Sequence, residues 1–284
     1  MKELVKYWCG FLCCFSASSA WAQADVEQGQ FIKKSTLHAS VSLGFGGIEN
    51  PVLDAENLTT PILPSLSYYG EDWYFNDFSL GYSLYETPTY YIDLLGRFND
   101  DGFFFELDGV DKLLASGAIT AGPGVPTIPS ATPINLIPIQ RDISYMAGFS
   151  GALNLFQGLW VNTAVLQDVT KVHDGHEVFV NLYSDFEFDY GKMGVELGAN
   201  YKNRELIEYY YTVAPKESKT RLRKYALQSN INYHVKVTYE YVISEQLSFD
   251  FSLKHTWLGS NLANSHMISK NGYFSGFAGL TYHF

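Results

Sequence analysis

The stretch Leu227–Tyr241 reads LQSNINYHVKVTYEY and decides the fold, because polar and apolar side chains alternate along it. Seven of its eight odd positions are apolar or aromatic, and every even position is polar. A period of two places these two sets on opposite faces of one strand. The fifteen residues exceed the roughly 5 to 6 residues of an ordinary soluble strand. The stretch therefore predicts a long strand with one face in an apolar environment.

The same alternation recurs at Leu37–Phe45, Met193–Tyr201 and Leu247–Trp257. No helical stripe of comparable length competes with it. Along the whole chain we predict twelve strands, at approximately 36–47, 61–70, 73–84, 89–99, 102–109, 142–156, 159–169, 176–188, 192–202, 225–243, 246–258 and 272–284.

The connections between these segments alternate between short and long. The short ones are 70–72, 100–101, 157–158, 190–191 and 244–245, and the longer ones are 48–60, 110–141, 170–175, 203–224 and 259–271, with 85–88 as a modest exception. Outer-membrane barrels have strands of roughly 9 to 11 residues, short periplasmic turns and longer outer loops. An even strand number then places both termini on the periplasmic side.

A soluble β-sandwich also alternates, but its strands are shorter and its connections do not alternate in length. We therefore predict an all-β fold, an antiparallel transmembrane β-barrel of twelve strands, with ten or fourteen strands as the alternatives.

Composition agrees with a barrel in lipid. The chain is 16% aromatic and only 17% charged, whereas soluble domains carry about 25% charged residues. Beyond the extreme N-terminus no apolar run approaches the roughly 18 to 20 residues of a spanning helix, which excludes a polytopic helical protein. The net charge of -11 argues against a nucleic-acid partner, which needs a basic face. Tyr and Trp are typical of the two interfacial girdles of a barrel.

The N-terminus has the pattern of a cleaved secretory signal over residues 1–22. Lys2 and Lys6 precede an apolar middle, and Ala20 and Ala22 form a small-x-small exit that predicts cleavage after Ala22. Residues 23–35 then form a periplasmic tail and residues 36–284 the barrel. This export predicts a place in the outer membrane of a Gram-negative cell.

All three cysteines of the chain, Cys9, Cys13 and Cys14, lie inside this segment. A lipoprotein signal is the alternative, but Gly10, Phe11 and Leu12 lack the usual order of residues before a lipidated cysteine. The exported chain would have no cysteine for a disulfide or a thiolate metal site.

The chain ends on a strand pattern. Leu280, Tyr282 and Phe284 share one face with Phe274, Gly276 and Ala278. A terminal aromatic residue after alternating apolar residues is what the outer-membrane assembly machinery recognises in its clients. We therefore predict that Leu280, Tyr282 and Phe284 form an assembly signal.

Several motifs of this chain together resemble a known family. These are Ser42–Gly46, Pro61–Gly70, Phe78–Tyr82, Val169–His176, Tyr201–Asn203, Tyr209–Val213 with Glu217, and Gly272–Phe284. They are similar to the MltA-interacting protein (MipA)/OmpV family of outer-membrane proteins. One departure is Ser265–Ile268, where the family often has Ser-Pro and a hydrophobic residue before the last strand.

The resemblance implies an outer-membrane barrel, and for some members a scaffold that links a murein hydrolase to a murein synthase. We therefore expect a non-catalytic scaffold or binding protein, with membrane lipid, lipopolysaccharide and the assembly machinery as further partners and without a cofactor. A narrow channel for small, cationic solutes is the alternative, and a barrel enzyme is a second alternative.

Charged residues fall on the predicted inner face of the strands. The candidate lumen charges are Asp93, Arg97, Glu196, Lys236, Glu240, Asp250 and Lys254, in a wider inward set with Glu106, Asp108, Asp168, Glu177, Asp185, Glu187 and His234. Because acids outnumber bases, they fit a passage or binding surface for cations. The alternative is a plugged small barrel whose interior charges pair with each other.

Two connections bear on function. Loop 110–141 holds five prolines and no charge from Ala115 to Gln140, which fits a constriction in the mouth, a segment at the lipopolysaccharide surface or an ordinary loop. His173–His176 reads HDGH, which matches no metalloenzyme spacing and predicts a turn at Asp-Gly. For the enzyme alternative, His38, His234 and Asp250 share a face.

Overall fold

A computed structural model describes residues 35–105, 139–156, 158–213, 217 and 227–284. The predicted signal peptide with Ala20 and Ala22, the tail up to residue 34, and residues 106–138 of the long loop lie outside these ranges. Glu106 and Asp108 also lie outside them, so the predictions made for these segments remain predictions.

Twelve strands form one closed antiparallel barrel, in which neighbours in the chain pair and the last strand returns to the first. The strands are β1 (Leu37–Ile48), β2 (Leu58–Tyr69), β3 (Trp73–Asn76), β4 (Ser79–Glu86), β5 (Tyr90–Phe98), β6 (Tyr145–Phe156), β7 (Leu159–Asp168), β8 (His176–Phe188), β9 (Gly191–Lys202), β10 (Asn230–Ser244), β11 (Leu247–Trp257) and β12 (Gly272–His283). This architecture confirms the predicted twelve-stranded barrel.

Short helices lie in the connections. A 3₁₀ helix spans Asp100–Phe104, α1 spans Arg204–Tyr211 and α2 spans Ser260–Ala263. Within the described ranges, no helix has the length and apolar character needed to cross a membrane.

The two faces of the wall differ as the alternation predicts. Outward side chains such as Leu43 and Phe149 are apolar yet about 60% exposed, at 59% and 61%. Their inward neighbours are polar, as Ser42 next to Leu43 illustrates. An apolar belt on this scale belongs in hydrocarbon, and a closed barrel leaves no strand edge along most of its wall.

The strand predicted at 73–84 is in fact two strands. β3 and β4 are joined by a two-residue turn at Asp77 and Phe78, both with positive φ (43° and 70°), as in hairpin turns of the primed types. Aspartate is common at such positions, but Phe78 stands where glycine is usual, so the turn signal in the sequence is weak here.

The strand predicted at 102–109 was wrong for its described part. Residues 100–104 form the 3₁₀ helix, and Phe103, Phe104 and Phe105 are all buried. A wall strand would turn alternate residues to lipid, so three consecutive buried aromatics require a segment packed inside the mouth. The number of strands is still twelve, because the predicted strand 73–84 forms two strands, whereas the predicted strand 102–109 does not form one in its described part.

The two ends of the barrel differ in the length of their connections. One end carries the connections 70–72, 87–89, 157–158, 189–190 and 245–246, and the other carries 49–57, 99–144, 169–175, 203–229 and 258–271. We call these the short-connection end and the long-connection end. Short turns face the periplasm in bacterial barrels. The turn at 77–78 is an exception because it lies within the wall, at the level of Leu66.

Replacing Gly81 with valine should destabilise the β3–β4 hairpin. A Cβ at Gly81 would overlap the Tyr74 ring, whose hydroxyl donates to Asp93 Oδ2 (3.0 Å). Displacing the ring is an overpacking change of about 1–3 kcal/mol. The temperature at which the protein loses its heat-modifiable gel migration should fall. Tyr82→Phe, at the adjacent exposed position, is the control and should leave that temperature unchanged.

Candidate functional site

Side chains from the connections and strand ends pack together at the long-connection end of the lumen. We call this group the mouth cluster. Its buried apolar members are Ile48, Val52, Phe103, Phe104, Phe105, Met146, Ala164, Leu166, Leu206, Ile207, Tyr210, Tyr211, Leu227, Leu262 and Met267. Edge and stacking contacts join the rings, including Phe105 with Tyr210 at 5.8 Å between centroids. Such packing excludes water from this end of the lumen.

Helix α1 contributes the largest part of the mouth cluster. Leu206, Ile207, Tyr210 and Tyr211 are buried along one face, as their i, i+4 spacing requires. Asn203 begins the helix, because its Oδ1 accepts hydrogen bonds from the N–H groups of Leu206 (3.3 Å) and His176 (3.0 Å). The sequence pattern predicts a loop over 203–224, whereas Arg204–Tyr211 is helical. An Asn N-cap before that spacing was the signal that could have found the helix.

Buried charges lie beside the mouth cluster. Asp101 Oδ2 is 2.5 Å from Lys202 Nζ, and the two side chains are only 2% and 7% exposed. The Tyr211 hydroxyl donates to Asp101 Oδ1 (2.6 Å). A second, more accessible pair joins Arg97 to Asp100 at 2.5 Å, with side chains that are 24% and 46% exposed. Burial acts to raise the pKa of Asp100, but the attraction of Arg97 and Lys254 lowers it below its ordinary value.

Ser144, His173 and Asp168 look superficially like a nucleophile, base and acid. Ser144 Oγ is 2.9 Å from His173 Nε2, but His173 Nδ1 lies 3.8 Å from Asp168 and accepts the Gly175 N–H (2.8 Å). A catalytic histidine must instead donate from Nδ1 to the acid. Ser144 is also fully buried, so the three residues stabilise the 169–175 connection.

The HDGH segment is the predicted turn. Asp168 accepts hydrogen bonds from the N–H groups of Thr170 (2.8 Å), His173 (2.8 Å) and Asp174 (3.0 Å). Asp174 has a positive φ of 54°. A side chain on Gly175 would meet the start of α1, so the glycine lets the turn pack on the mouth cluster.

Acidification should loosen this turn and α1. Burial lowers the pKa of His173, so its folded value lies below the ordinary 6.5. Because the locally opened form binds the proton more readily, stability is lost as pH falls through about 6.5. Hydrogen exchange, corrected for intrinsic rates, should show less protection of α1 at pH 5.5 than at pH 7.5. In His173→Gln the pH dependence should vanish; if it persists, another group is responsible.

Below the mouth cluster the lumen contains space. A cavity of about 570 Å³ opens toward the short-connection end, and a second of about 290 Å³ shares Tyr183, Gly194 and Thr238 with it. The charged residues that line the first are Asp77, Asp185, Lys192, Glu240, Asp250 and His283. Glu196 and Lys236 line the second.

The seven candidate lumen charges all lie on inward strand positions. The structure brings Arg97 to Asp100, Asp93 to the Tyr74 hydroxyl, and Glu196 to His234 Nε2 (2.8 Å). Lys254 lies across from Lys236 on β10. Glu240 and Asp250 are directly opposite each other, and neither has an ion pair among the described residues. Near the short-connection end, Lys192 and Asp185 form an ion pair (3.0 Å), whereas Asp250 and Glu240 form none in the described part of the chain.

The residues considered for catalysis do not assemble. His234 pairs with Glu196, Asp250 accepts from Ser248 (3.1 Å), and no hydrogen bond of the described residues joins either to His38. In the same residues, no group of three or more His, Cys, Asp or Glu side chains could hold a metal.

Comparisons with known proteins agree with this architecture. Outer membrane protein OmpV of Vibrio cholerae is 19% identical over 264 residues, which cover 93% of this chain and 93% of OmpV. Putative outer membrane protein YiaT of Escherichia coli O157:H7 is 22% identical, covering 88% of this chain and 93% of YiaT.

Among solved structures, an outer-membrane channel of Pseudomonas putida F1 matches with a TM-score of 0.37 and 10% identity, covering 92% of this chain and 100% of the channel. A likeness this weak supports no functional statement. A sequence model described as MltA-interacting protein MipA matches residues 43–284. Because that match spans most of the chain, including all of the barrel beyond the first half of β1, the protein belongs to the MipA family.

Proposed function

We propose that this protein is a non-catalytic scaffold of the outer membrane that binds enzymes which hydrolyse and synthesise murein. The observation that carries the proposal is the mouth cluster, since a barrel closed at one end by packed side chains fits a binding protein better than an open pore. The family description names an interaction with MltA. The outward apolar belt would contact lipid and lipopolysaccharide, after export by the signal peptide 1–22 and insertion by the assembly machinery.

The partner would bind at the short-connection end together with residues 23–35. Short turns of a bacterial barrel face the periplasm, where murein lies. Tyr190, in the turn between β8 and β9, is among the most exposed aromatic side chains of the chain. An exposed aromatic residue is a common anchor of protein interfaces.

Capture of purified murein hydrolase and synthase on the full-length protein in detergent tests the scaffold. We expect retention of at least one enzyme, and loss of retention when Tyr190 and the turn 245–246 are changed to serine and glycine. The matched control changes 54–56, at the long-connection end, and should leave retention intact. Equal loss in both variants, or no retention by the unchanged protein, contradicts the proposal.

A narrow channel for small cations is the second candidate, because the open half of the lumen contains Asp185, Glu240 and Asp250. Planar-bilayer recordings separate the two. The scaffold predicts no discrete openings by the unchanged protein. Cation-selective openings whose selectivity falls in Asp250→Asn would support the channel instead.

A further inference from the structure

The barrel wall has a gap beside β2. β2 has twelve residues and β3 only four, and the two strands pair only through Ser67–Tyr69. On its other side β2 pairs with β1 along nearly its whole length. From Leu58 to Pro64, no described strand pairs with the β3 side of β2. We call this gap the seam.

The polar groups along the seam are capped locally. Asp77 supplies both bonds to Leu66: its N–H donates to the Leu66 carbonyl (3.1 Å), and its Oδ1 accepts the Leu66 N–H (2.9 Å). Backbone groups alternate along a strand, so Ile62 and Pro64 face the same side as Leu66. The Thr60 hydroxyl donates to the Ile62 carbonyl (2.7 Å), and Pro64 has no N–H. Such features keep a strand edge from pairing.

Contacts at both ends fix the seam. At its lower end the Ser65 hydroxyl donates to Asp77 Oδ2 (3.1 Å). At its upper end Asn50 Nδ2 donates to the Phe104 carbonyl (2.7 Å). Eight residue steps from Leu58 to Leu66 correspond to about 26 Å at a rise of about 3.3 Å. The seam is therefore a bounded opening in an otherwise paired wall.

The seam meets the larger lumen cavity. Leu63, Pro64, Ser65 and Asp77 all line that cavity. Side chains of neighbouring strand residues point to opposite faces, so the inward pair Leu63 and Ser65 would be expected to line it, whereas Pro64 faces outward. Pro64 is nevertheless among the lining residues, so the cavity reaches the edge of β2.

The cavity is acidic at one end. Among the described lining residues there is one lysine, Lys192, which lies on β9 opposite Glu240 and pairs with Asp185 (3.0 Å). Glu240 and Asp250 lie directly opposite each other on β10 and β11, and facing like charges repel at this separation. Asp250 has no ion pair among the described residues, so the lining carries more carboxylates than ammonium groups.

A second feature points to a ligand. Ser252 is 7% exposed and lines the cavity, yet its hydroxyl has no hydrogen-bond partner in the described structure. A buried hydroxyl without a partner is costly. Apolar side chains share the lining, including Leu63 and Phe277. The cavity thus combines an excess of carboxylates over lysines with an apolar wall.

We propose that the seam is a lateral entrance from the bilayer into the lumen cavity, and that the cavity binds a cationic amphiphile. The ammonium group lies between Glu240 and Asp250, and the hydrocarbon chain runs along Leu63 and Phe277 toward the seam. The cavity volume of about 570 Å³ is within the range of small-molecule sites, about 300–1,000 Å³. The inference does not depend on the scaffold function.

Binding is tested with the full-length protein in phosphatidylcholine nanodiscs and dodecyltrimethylammonium as the probe. Calorimetry should show saturable binding of one probe per chain above the signal of empty nanodiscs. Dodecyl sulfate and tetramethylammonium should each bind at least about tenfold more weakly, as should the probe to Asp250→Asn. Binding that does not exceed empty nanodiscs, or equal binding of dodecyl sulfate, overturns the site.

The entrance is tested by the association rate of a bromododecyl ammonium probe, followed by quenching of protein fluorescence. Pro64→Trp and Ile62→Trp add bulk at the seam and should slow association severalfold with little change in equilibrium affinity. Leu197→Trp adds the same bulk on a fully paired part of the wall and should not slow it. Association that is equally fast in all four proteins, while binding persists, overturns the lateral entrance and leaves access from the short-connection end.

Discussion

Replacing Asp101 with asparagine should release the mouth cluster from the barrel. The substitution leaves the Lys202 ammonium buried without its carboxylate partner at 2.5 Å, and an uncompensated buried charge costs about 3–5 kcal/mol. Glu177 lies directly opposite Lys202 on β8, so we expect the lower end of that range. Asparagine can still accept the Tyr211 hydroxyl, so the loss reports the charge rather than the hydrogen bond.

Hydrogen exchange of α1 is the direct measurement, because the bond between Tyr211 and Asp101 ties this helix to the barrel. Protection of α1 should fall in Asp101→Asn, while the β9–β10 ladder keeps its protection. In planar bilayers the variant should show intermittent openings that the unchanged protein lacks.

Two control proteins make the result interpretable. Asp101→Asn with Lys202→Met removes both charges and should recover part of the protection, since an apolar replacement of a buried pair is often nearly neutral. Recovery is incomplete because the buried Glu177 loses the cation opposite it on β9. Arg204→Gln removes an exposed i, i+4 pair with Glu208 (2.9 Å) and should leave the protection of α1 almost unchanged, because solvent screens exposed ion pairs. If the double variant is no better than Asp101→Asn, packing and not charge holds the mouth.

The strands could be predicted from the sequence where their outer face contacts lipid. Every outward position of β10 from Ile231 to Tyr241 must be apolar or aromatic, and every inward position faces a polar lumen. The local environment alone therefore imposes the period of two. For the same reason β1, β9, β11 and β12 follow the sequence pattern closely.

The strand prediction was wrong at two places where a residue's environment is not set by alternating contact with lipid and lumen. Phe103–Phe105 is aromatic at every position, and aromatic residues favour strands. In the structure these three side chains pack in the mouth cluster instead. The hidden turn at Asp77 and Phe78 divides one predicted strand into β3 and β4. That division moves the connection at 87–89 to the short-connection end, where its length fits, and leaves the turn at 77–78 as the exception in the order of connections.

The candidate site could be predicted only in part. Inward strand positions of Glu240 and Asp250 follow from parity. The pair Asp101–Lys202 joins a connection to the end of a distant strand, and no periodicity encodes which charges meet across a lumen. Nor does any pattern reveal the seam, because it arises from the difference in length between β2 and β3.

Deleting Phe284 should reduce the amount of assembled barrel severalfold in cells, although it should hardly change the stability of barrels that have formed. Phe284 is 78% exposed, and its N–H donates to the Ala39 carbonyl (3.0 Å). In the folded barrel it therefore supplies little more than one backbone hydrogen bond, worth about 1 kcal/mol. A large effect on yield must arise before closure, which is why we propose that Leu280, Tyr282 and Phe284 act as an assembly signal.

The fraction of heat-modifiable protein in isolated outer membranes measures assembly, and refolding of purified protein into lipid vesicles measures folding without cellular machinery. The deletion should lower the first and leave the second nearly unchanged, whereas Phe284→Tyr should preserve both. Phe156→Ala removes a comparably exposed aromatic (73%) at another short connection and serves as the matched control. An equal decrease in Phe156→Ala would assign the effect to the interfacial girdle. A parallel loss of refolding in vesicles would mean that Phe284 acts on barrel closure between β12 and β1, not on recognition.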